Sequence, residues 1–187
     1  MSRALLLRHG ESVHNAARSG EPAPHSGSDR LTERGVEQAH AAGAALREHG
    51  VTRLLSSPLR RARETARAVG EALALEPEEV DYTGELTSGE SFEQALARVH
   101  RLKAELEAGE TGELPLLVTH GIFTRFFLLD SVLGERFEAE MAAGIWNLGS
   151  HNCGLSVFAH GESRDPLGQP IPSWTCLTWM ERPWDRP

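Results

Sequence analysis

Two short apolar runs in this 187-residue chain end in the same way, at a histidine followed by a glycine. The first reads LLLRHG (Leu5–Gly10) and the second reads LLVTHG (Leu116–Gly121). A continuous apolar run of this length is typical of a strand that is buried on both faces of a parallel sheet. Ligands bind outside the carboxyl ends of such strands, so His9 and His120 are expected to project into one crevice.

The rest of the chain alternates short apolar runs with helical patterns. Further strands are predicted at Val51–Ser56, Leu155–Ala159 and, more weakly, Val80–Tyr82. Helices are predicted at about residues 32–49, 57–74, 91–106 and 121–133. This order predicts an α/β fold, a three-layer α/β/α sandwich with a mostly parallel central sheet. No repeat or long linker divides the sequence, so residues 1–187 are expected to form a single domain.

The segment Ser56–Arg61 lies where the second predicted strand passes into a helix. Ser57 is expected to be the N-cap of that helix and Pro58 its first residue. Free N–H groups and the positive end of the helix dipole favour an anion at such a position, and arginines can hold phosphate oxygens in a bidentate way. The sequence therefore predicts a phosphate site here.

Composition excludes several other classes of function. A formal charge of −8 argues against a general affinity for nucleic acid or for an anionic membrane. Cys153 and Cys176 are too few for a disulfide framework or a zinc motif and suit a reducing compartment. The apolar run at Ala4–Leu7 is too short for a secretory signal or a membrane span, so a cytoplasmic protein is expected.

Five motifs, in this order, give the chain a marked resemblance to the histidine phosphatase (phosphoglycerate-mutase-like) superfamily, over about residues 4 to 160. They are LRHGES (Leu7–Ser12) with Asn15, LTERG (Leu31–Gly35) with Gln38-Ala39, SSPLRRA (Ser56–Ala62) with Thr65-Ala66, GESF (Gly89–Phe92) and VTHG (Val118–Gly121).

The resemblance implies a role for each matching residue. His9 would attack phosphorus, Arg8 and Arg61 would grip the phosphoryl oxygens, and His120 would stabilise the transferring group. Asn15 would add a hydrogen bond to the phosphate, and Gly121 belongs to the same substrate-binding set. Arg61 is chosen over Arg60 because it directly precedes Ala62, as the family arginine does. The implied activity is hydrolysis of a small phosphorylated molecule through a phosphohistidine, without a metal or an organic cofactor.

The general acid is the first departure from the family pattern. The family usually carries a carboxylate after the third strand, within a long segment that covers the site, whereas only Thr83–Ser88 intervene here between Tyr82 and Gly89. Glu85 is the best-placed candidate, with Glu90 or Asp81 as substitutes.

The tail at residues 161–187 is the second departure. Alternation in Trp174–Met180 suggests an additional edge strand. The tail could pair at a sheet edge, cover the pocket or meet a partner subunit in a homodimer, and the four tryptophans are expected to pack rather than to recognise a ligand.

Two alternatives to a phosphatase stay open: a phosphoglycerate-type mutase and a phosphate-binding module without turnover. The short covering segment favours hydrolysis over transfer. The substrate is undetermined, since its selection would depend on Ala16–Arg30, on the segment around Glu85 and on the tail.

Overall fold

The computed structural model describes residues 2–17, 29–164, 167–182 and 184–185. Most of the Ala16–Arg30 loop, to which substrate selection was assigned above, lies outside these residues. The strands are β1 (Ser2–Arg8), β2 (Arg53–Ser56), β3 (Glu78–Glu79), β4 (Pro115–Thr119), β5 (Leu155–Arg164) and β6 (Pro170–Glu181). The helices are α1 (Val13–Ala16), α2 (Glu33–Leu46), α3 (Arg60–Leu73), α4 (Phe92–Glu107), α5 (Gly121–Leu133) and α6 (Ala139–Ala142). Short 3-10 helices cover Arg47–His49, Asp81–Thr83, Gly134–Arg136 and Ala143–Asn147.

The six strands form one sheet in the order β3-β2-β4-β1-β5-β6. The pairs β3–β2, β2–β4 and β4–β1 are parallel, whereas β5 and β6 are antiparallel additions at one side. Strands β2, β4 and β1 are neighbours in the sheet but are not consecutive in the chain, so helices must cross over between them. The mostly parallel α/β sheet predicted from the sequence is confirmed.

Alternate residues of the central strands face two separate cores, which makes the three layers. Leu5 and Leu7 of β1 pack against α2 and α3, while Ala4 and Leu6 pack against α4 and α5. This is the period of two that a strand imposes when both faces of the sheet are covered.

The carboxyl ends of β1, β2 and β4 lie side by side. Arg8 is opposite Thr119, and Ser56 is opposite Val118. The chain continues the pairing one step further, because the N–H of His9 donates to the Thr119 carbonyl at 3.0 Å. The two His-Gly ends therefore leave the sheet next to each other, as predicted.

Two helix starts agree with the sequence. Thr32 caps α2 by accepting the N–H of Gly35, and Ser91 forms a capping box with Gln94 at the start of α4.

The strand predicted at Val80–Tyr82 is wrong. The third strand is Glu78–Glu79, and its pairing ends when the N–H of Val80 donates to the Ser56 carbonyl at the end of β2. Among the described residues, no strand pairs with the chain beyond that point. The Thr83 hydroxyl donates to the Val80 carbonyl at 2.8 Å and closes a 3-10 turn instead.

The predicted start of α3 is also wrong. The N-cap is Leu59 and the helix begins at Arg60, two residues later than Pro58. Ser57 Oγ accepts the N–H of Leu59 at 3.3 Å and also lies 2.7 Å from His120 Nε2, but residues 58 and 59 stay outside the helix. The shift makes Arg61 the second helical residue.

The tail adopts the first of its three open alternatives. Strand β6 runs antiparallel to β5 at the edge of the sheet, and Trp174 is buried in the core. Trp179 donates from Nε1 to the Gly149 carbonyl at 3.0 Å. Within the described residues, no helix is long and apolar enough to cross a membrane.

The loop after β1 touches the start of α2 at two glycines. A Cβ at Gly35 would lie 2.0 Å from the Glu11 carbonyl oxygen, and a Cβ at Gly10 would lie 2.4 Å from the Gly35 oxygen. Both obstacles are backbone atoms, which cannot rotate away. These glycines hold the segment that carries His9 against α2.

Gly35→Ala is expected to lower the free energy of unfolding by about 1–3 kcal/mol, the usual cost of forcing an atom into a packed interface. Urea denaturation measures the change. Gly89→Ala is the matched control, because nothing lies within 4 Å of its added Cβ. Equal stability of Gly35→Ala and the unchanged protein would contradict the close approach.

Candidate active site

A cavity of about 380 Å³ opens at the carboxyl ends of β1, β2 and β4. Of the site residues predicted from sequence, all except His120, which is fully buried behind it, line the cavity, together with residues that sequence reasoning did not select. The lining residues are Arg8, His9, His14, Asn15, Asp29, Arg61, Glu85, Gly121, Ile122, Arg125, Trp146 and Ser150.

His9 is held by hydrogen bonds on both ring nitrogens. Its Nδ1 lies 2.7 Å from the Gly10 carbonyl, which can only accept a hydrogen bond. Nδ1 therefore carries the ring hydrogen. Nε2 accepts from Arg61 Nε at 3.0 Å, so the lone pair of a neutral imidazole is directed at a guanidinium. This is the tautomer that a nucleophilic nitrogen requires.

The environment of His9 keeps the imidazole neutral. Burial lowers the pKa of His9 well below its ordinary value, and the charges of Arg61 and Arg8 lower it further. The hydrogen bond to the Gly10 carbonyl acts in the opposite direction and is a smaller influence. A lone pair is thus available on Nε2 even in mildly acidic solution.

His120 stands beside His9, with 5.2 Å between the ring centroids. Its Nε2 is bonded to Ser57 Oγ, which already accepts the N–H of Leu59. The Ser57 hydroxyl can then donate to Nε2, which places the ring hydrogen on Nδ1. Among the described residues, buried Nδ1 has no hydrogen-bond partner. Burial, followed by the neighbouring His9, lowers the pKa of His120 well below its ordinary value.

The structure separates the two arginines at the start of α3. Arg61 is 5 % exposed and lines the cavity. Arg60 lies outside the cavity and pairs with Glu64 at 2.7 Å. The choice of Arg61 made from the sequence therefore agrees with the placement of the two side chains.

Arg8 completes the group around His9. Its Nη1 donates to the Ser150 carbonyl at 2.7 Å, while its buried Nε has no partner among the described residues. Burial lowers the pKa of Arg8, but an arginine stays charged under all ordinary conditions. A buried donor left without a partner is costly, so this N–H is suited to an incoming anion.

Glu85 reaches the cavity from the short segment before α4. Its carboxylate accepts the N–H groups of Phe123 at 3.2 Å and Ile122 at 3.4 Å, at the start of α5. Burial raises the pKa of Glu85, and it outweighs the hydrogen bonds and the Arg61 charge, which act to lower it. A raised pKa keeps a carboxylic acid protonated, and therefore able to donate a proton, up to a higher pH.

The two substitutes for Glu85 are placed elsewhere. Glu90 makes two bonds to Arg98, at 2.6 and 2.7 Å, and does not line the cavity. Asp81 is exposed and does not line the cavity; it lines a neighbouring groove that also includes Glu85 and Glu90.

Asn15 and Gly121 both line the cavity. Asn15 Oδ1 accepts from Asn152 Nδ2 at 2.9 Å, an arrangement that leaves the NH₂ group of Asn15 as a donor for an anion. Gly121 is the first residue of α5, so its N–H has no partner within the helix.

Sequence reasoning missed two charged lining residues, Asp29 and Arg125. Asp29 is 2 % exposed, accepts the N–H of His14 at 3.0 Å and lies 4.0 Å from Arg61 Nη1. It lies two residues before the first residue of the LTERG motif, and no pattern in the sequence marks it as a site residue. Arg125 is four residues after Gly121, and this spacing alone places both on one face of a helix.

Trp146 was expected to pack with the other tryptophans, and that expectation is wrong. Trp146 is 67 % exposed and lines the cavity. The centroid of its ring lies 5.5 Å from the Arg125 guanidinium. No apolar period marks this position in the sequence.

The described residues contain no group of three or more His, Cys, Asp or Glu side chains that could hold a metal ion.

Comparison with curated proteins finds relatives of similar length. The chain is 29 % identical over 196 aligned positions, which cover 87 % of this chain and 87 % of the relative, to "Probable phosphoglycerate mutase GpmB" of Yersinia pestis (strain Pestoides F). The protein of the same name from Yersinia pseudotuberculosis serotype O:1b gives the same values.

Solved structures share the fold across the whole chain. A phosphoserine phosphatase mutant from Entamoeba histolytica, in complex with phosphoserine, superposes with a TM-score of 0.75 at 17 % identity and covers 100 % of both chains. A mycobacterial glucosyl-3-phosphoglycerate phosphatase complexed with VO3 gives a TM-score of 0.72 at 23 % identity, over 96 % of this chain and 99 % of the other.

The family model described as "Histidine phosphatase superfamily (branch 1)" matches residues 4–86 and 76–167. These ranges include every motif on which the resemblance was based. The chain belongs to the histidine phosphatase superfamily, branch 1.

Proposed function

We propose that this protein hydrolyses phosphomonoesters in two displacements, with His9 as the nucleophile. The observation that carries the proposal is the direction of the His9 Nε2 lone pair, which faces Arg61 inside a cavity lined by cations. A phosphoryl group placed there would meet the nucleophile and its oxygen-binding groups together. Phosphoryl transfer depends mainly on such positioning and on donors around the equatorial oxygens.

In the first displacement, His9 Nε2 forms a bond to phosphorus as the bond to the leaving oxygen breaks. Arg61 exchanges its bond to His9 for a bond to a phosphoryl oxygen. Arg8 Nε and His120 Nδ1 are buried donors that have no partner among the described residues, and they supply further bonds to the oxygens. The Nδ1–H of His9 continues to donate to Gly10 and stabilises the positive charge that develops on the ring.

Glu85 serves as the general acid in this step. A simple alcohol leaves poorly as an alkoxide, so a proton must reach the leaving oxygen as its bond to phosphorus breaks. Protonated Glu85 gives that proton and becomes a carboxylate. The negative charge is then stabilised by Arg61 and by the N–H groups at the start of α5.

In the second displacement, water attacks the phosphohistidine. Glu85, now a carboxylate, takes a proton from that water as the new oxygen–phosphorus bond forms. The phosphorus–nitrogen bond breaks and returns the electron pair to His9 Nε2. Inorganic phosphate leaves, and both His9 and Glu85 are restored.

Hydrolysis is favoured over the mutase reaction because the described part of the chain supplies no long segment that covers the site. A mutase must keep the phosphoryl group from water until it returns to the rearranged substrate. The segment that bears Glu85 is short, and no described residue of the tail lines the cavity. The name of the Yersinia relatives keeps the mutase as the second candidate. Retention of His9 and Glu85 in the cavity, with His120 beside His9, argues against a module that only binds phosphate.

We further propose a cytoplasmic setting and a small phosphorylated metabolite as the substrate. The cysteines, Cys153 and Cys176, are both free, as is usual in a reducing compartment. The cavity is near the small end of the range for ligand sites. The mechanism above needs no metal or organic cofactor.

His9→Ala is expected to abolish release of phosphate from p-nitrophenyl phosphate, because it removes the atom that attacks phosphorus. After a quench in base, the unchanged protein should carry a phosphoryl group that is stable to base and labile to acid, as expected of phosphohistidine, and His9→Ala should not. His40→Ala, on an exposed position of α2, is the matched control and should keep both signals. Turnover by His9→Ala would remove His9 from the nucleophilic role.

Glu85→Gln is expected to slow phosphoenzyme formation from an alkyl phosphate by about 100- to 10,000-fold, the range typical of general acid catalysis. Formation from p-nitrophenyl phosphate should slow much less, because p-nitrophenolate leaves without protonation. Rapid-quench measurement is required, since the same carboxylate assists water in the second step. If neither substrate is affected, Glu85 is not the acid.

The pH dependence of the same step provides the control. Phosphorylation needs neutral His9, so the rate falls as the pH drops through the lowered pKa of His9. It also needs protonated Glu85, so the rate with an alkyl phosphate falls as the pH rises through the raised pKa of Glu85. Glu85→Gln should lack that alkaline decrease, and a decrease that persists belongs to another group.

A further inference from the structure

Asn152 is not among the residues that line the cavity, yet its side chain reaches the backbone of the nucleophile. It lies in the turn that precedes β5, and its Nδ2 donates to the His9 carbonyl at 3.2 Å. The N–H of Cys153 donates to the same oxygen at 3.2 Å, and the N–H of Arg8 donates to the Gly154 carbonyl at 3.0 Å. These three hydrogen bonds attach the turn to the end of β1.

The backbone of this turn is held in a conformation that needs support. Cys153 has a φ of 50°, in the left-handed region that residues with a side chain rarely adopt. The N–H of Gly154 donates to the His151 carbonyl at 2.9 Å and closes the turn. Such a conformation persists where the surrounding structure enforces it. The bonds to the end of β1 do so here, and they place Asn152 beside the nucleophile.

The second hydrogen of the Asn152 NH₂ group goes to Asn15. Asn152 Nδ2 lies 2.9 Å from Asn15 Oδ1, so the Asn15 oxygen and the His9 carbonyl together use both hydrogens. The orientation of the Asn152 amide is determined by this pairing. A backbone carbonyl can only accept, so the Asn152 atom that faces His9 must be the nitrogen.

The orientation of the Asn15 amide is determined in turn. The N–H of Ser12 donates to Asn15 Oδ1 at 3.4 Å, within the capping box of α1. Two donors, from Ser12 and Asn152, therefore face the Asn15 oxygen and leave its NH₂ group for the cavity that Asn15 lines. If the amide were turned over, it would present an oxygen to the phosphate instead. The two ends of an amide are nearly equal in size, so hydrogen bonds decide between these orientations.

On this basis, and resting on the proposed function, we propose that Asn152 is a positioning residue for phosphate binding. It holds the Asn15 amide with its NH₂ group toward the phosphate and touches no substrate itself. Because the same NH₂ group also bonds to the His9 carbonyl, one side chain fixes the phosphate donor relative to the backbone of the nucleophile.

Asn152→Asp tests the proposal, because it replaces the NH₂ group with an oxygen at nearly constant size. The carboxylate repels Asn15 Oδ1, so the Asn15 amide is expected to turn over and present its oxygen to the cavity. The Kd of inorganic phosphate, measured by calorimetry, should rise about 10-fold or more, as expected when a hydrogen bond to a charged group is lost. An unchanged Kd overturns the proposal.

Asn152→Ala removes the donor without adding an acceptor. The N–H of Ser12 still favours the original orientation of Asn15, so the Kd of phosphate should rise less than it does in Asn152→Asp. A larger rise in the alanine variant would contradict the proposal, because it would make contact by Asn152, rather than the orientation of Asn15, the important feature.

A double-mutant cycle separates positioning from general structural damage. If Asn152 acts through Asn15, adding Asn152→Asp to Asn15→Ala protein should change the Kd of phosphate by less than about 2-fold, the usual limit of additivity. A loosened loop would weaken binding by the same factor in both backgrounds, and that result overturns the proposal. If Asn152→Asp does not fold, as judged by urea denaturation, the same cycle is built with Asn152→Ala, whose smaller loss should also vanish.

Asn147→Asp is the matched control for the added negative charge. Asn147 is the last residue of the 3-10 helix that bears Trp146, is exposed and is not among the residues that line the cavity. Its variant should bind phosphate as the unchanged protein does. Equal losses in Asn147→Asp and Asn152→Asp would assign the effect to charge alone and overturn the proposal.

The binding measurements distinguish failure of this inference from failure of the proposed function, because calorimetry with phosphate requires no chemical step. Coupling between Asn152 and Asn15 in a protein that forms no phosphohistidine would support the positioning role and reject the hydrolytic mechanism. Phosphohistidine formation without that coupling would support the mechanism and reject the positioning role. Unchanged protein that binds no phosphate would also overturn the positioning role.

Discussion

The hydrogen bond from Arg61 Nε to His9 Nε2 is the interaction on which the rest of the site depends. It directs the lone pair of the imidazole, and the Arg61 charge helps to keep that imidazole neutral. Its geometry requires the end of β1 and the start of α3 to approach each other, which the β2-β4-β1 order of the sheet provides. The same guanidinium lies near Asp29 and influences Glu85, so three of the charged groups in the cavity are coupled through one side chain.

The charged groups of the cavity favour both a bound phosphate and the protonation states that the first chemical step requires. Three arginines and two carboxyl groups line this buried space, so with Glu85 protonated these side chains carry two positive charges in excess. A phosphate dianion removes that excess and also satisfies donors that otherwise lack partners. Burial shifts the pKa of His9 downward and that of Glu85 upward, so each group favours its uncharged form. A neutral nucleophile and a protonated acid are the two states that the first chemical step requires.

Much of this arrangement could be predicted from sequence because it lies where strands end. Apolar runs marked β1 and β4, and the His-Gly pairs that follow them could only emerge at one edge of a parallel sheet. The bond of the Ser57 hydroxyl across the sheet to His120 was not predicted, because no local pattern encodes such a contact. Asp29 and Trp146 were not predicted as site residues, because irregular structure brings each of them to the cavity: Asp29 lies in a loop and Trp146 in a 3-10 helix. The four-residue spacing from Gly121 predicts that Arg125 lies on the same face of the helix, but spacing alone does not say which face borders the cavity.

The central claim is that His9 Nε2 is the atom that bonds to phosphorus, and vanadate tests it most directly. Vanadate adopts the five-coordinate geometry of phosphoryl transfer, so a crystal structure of its complex would display the reacting arrangement. The account predicts a bond from vanadium to His9 Nε2. Arg61, Arg8 Nε and His120 Nδ1 should lie within hydrogen-bond distance of the equatorial oxygens, and Glu85 should lie beside the apical oxygen opposite His9. Vanadate that occupies the cavity without a bond to His9, or that binds through another side chain, would contradict the account.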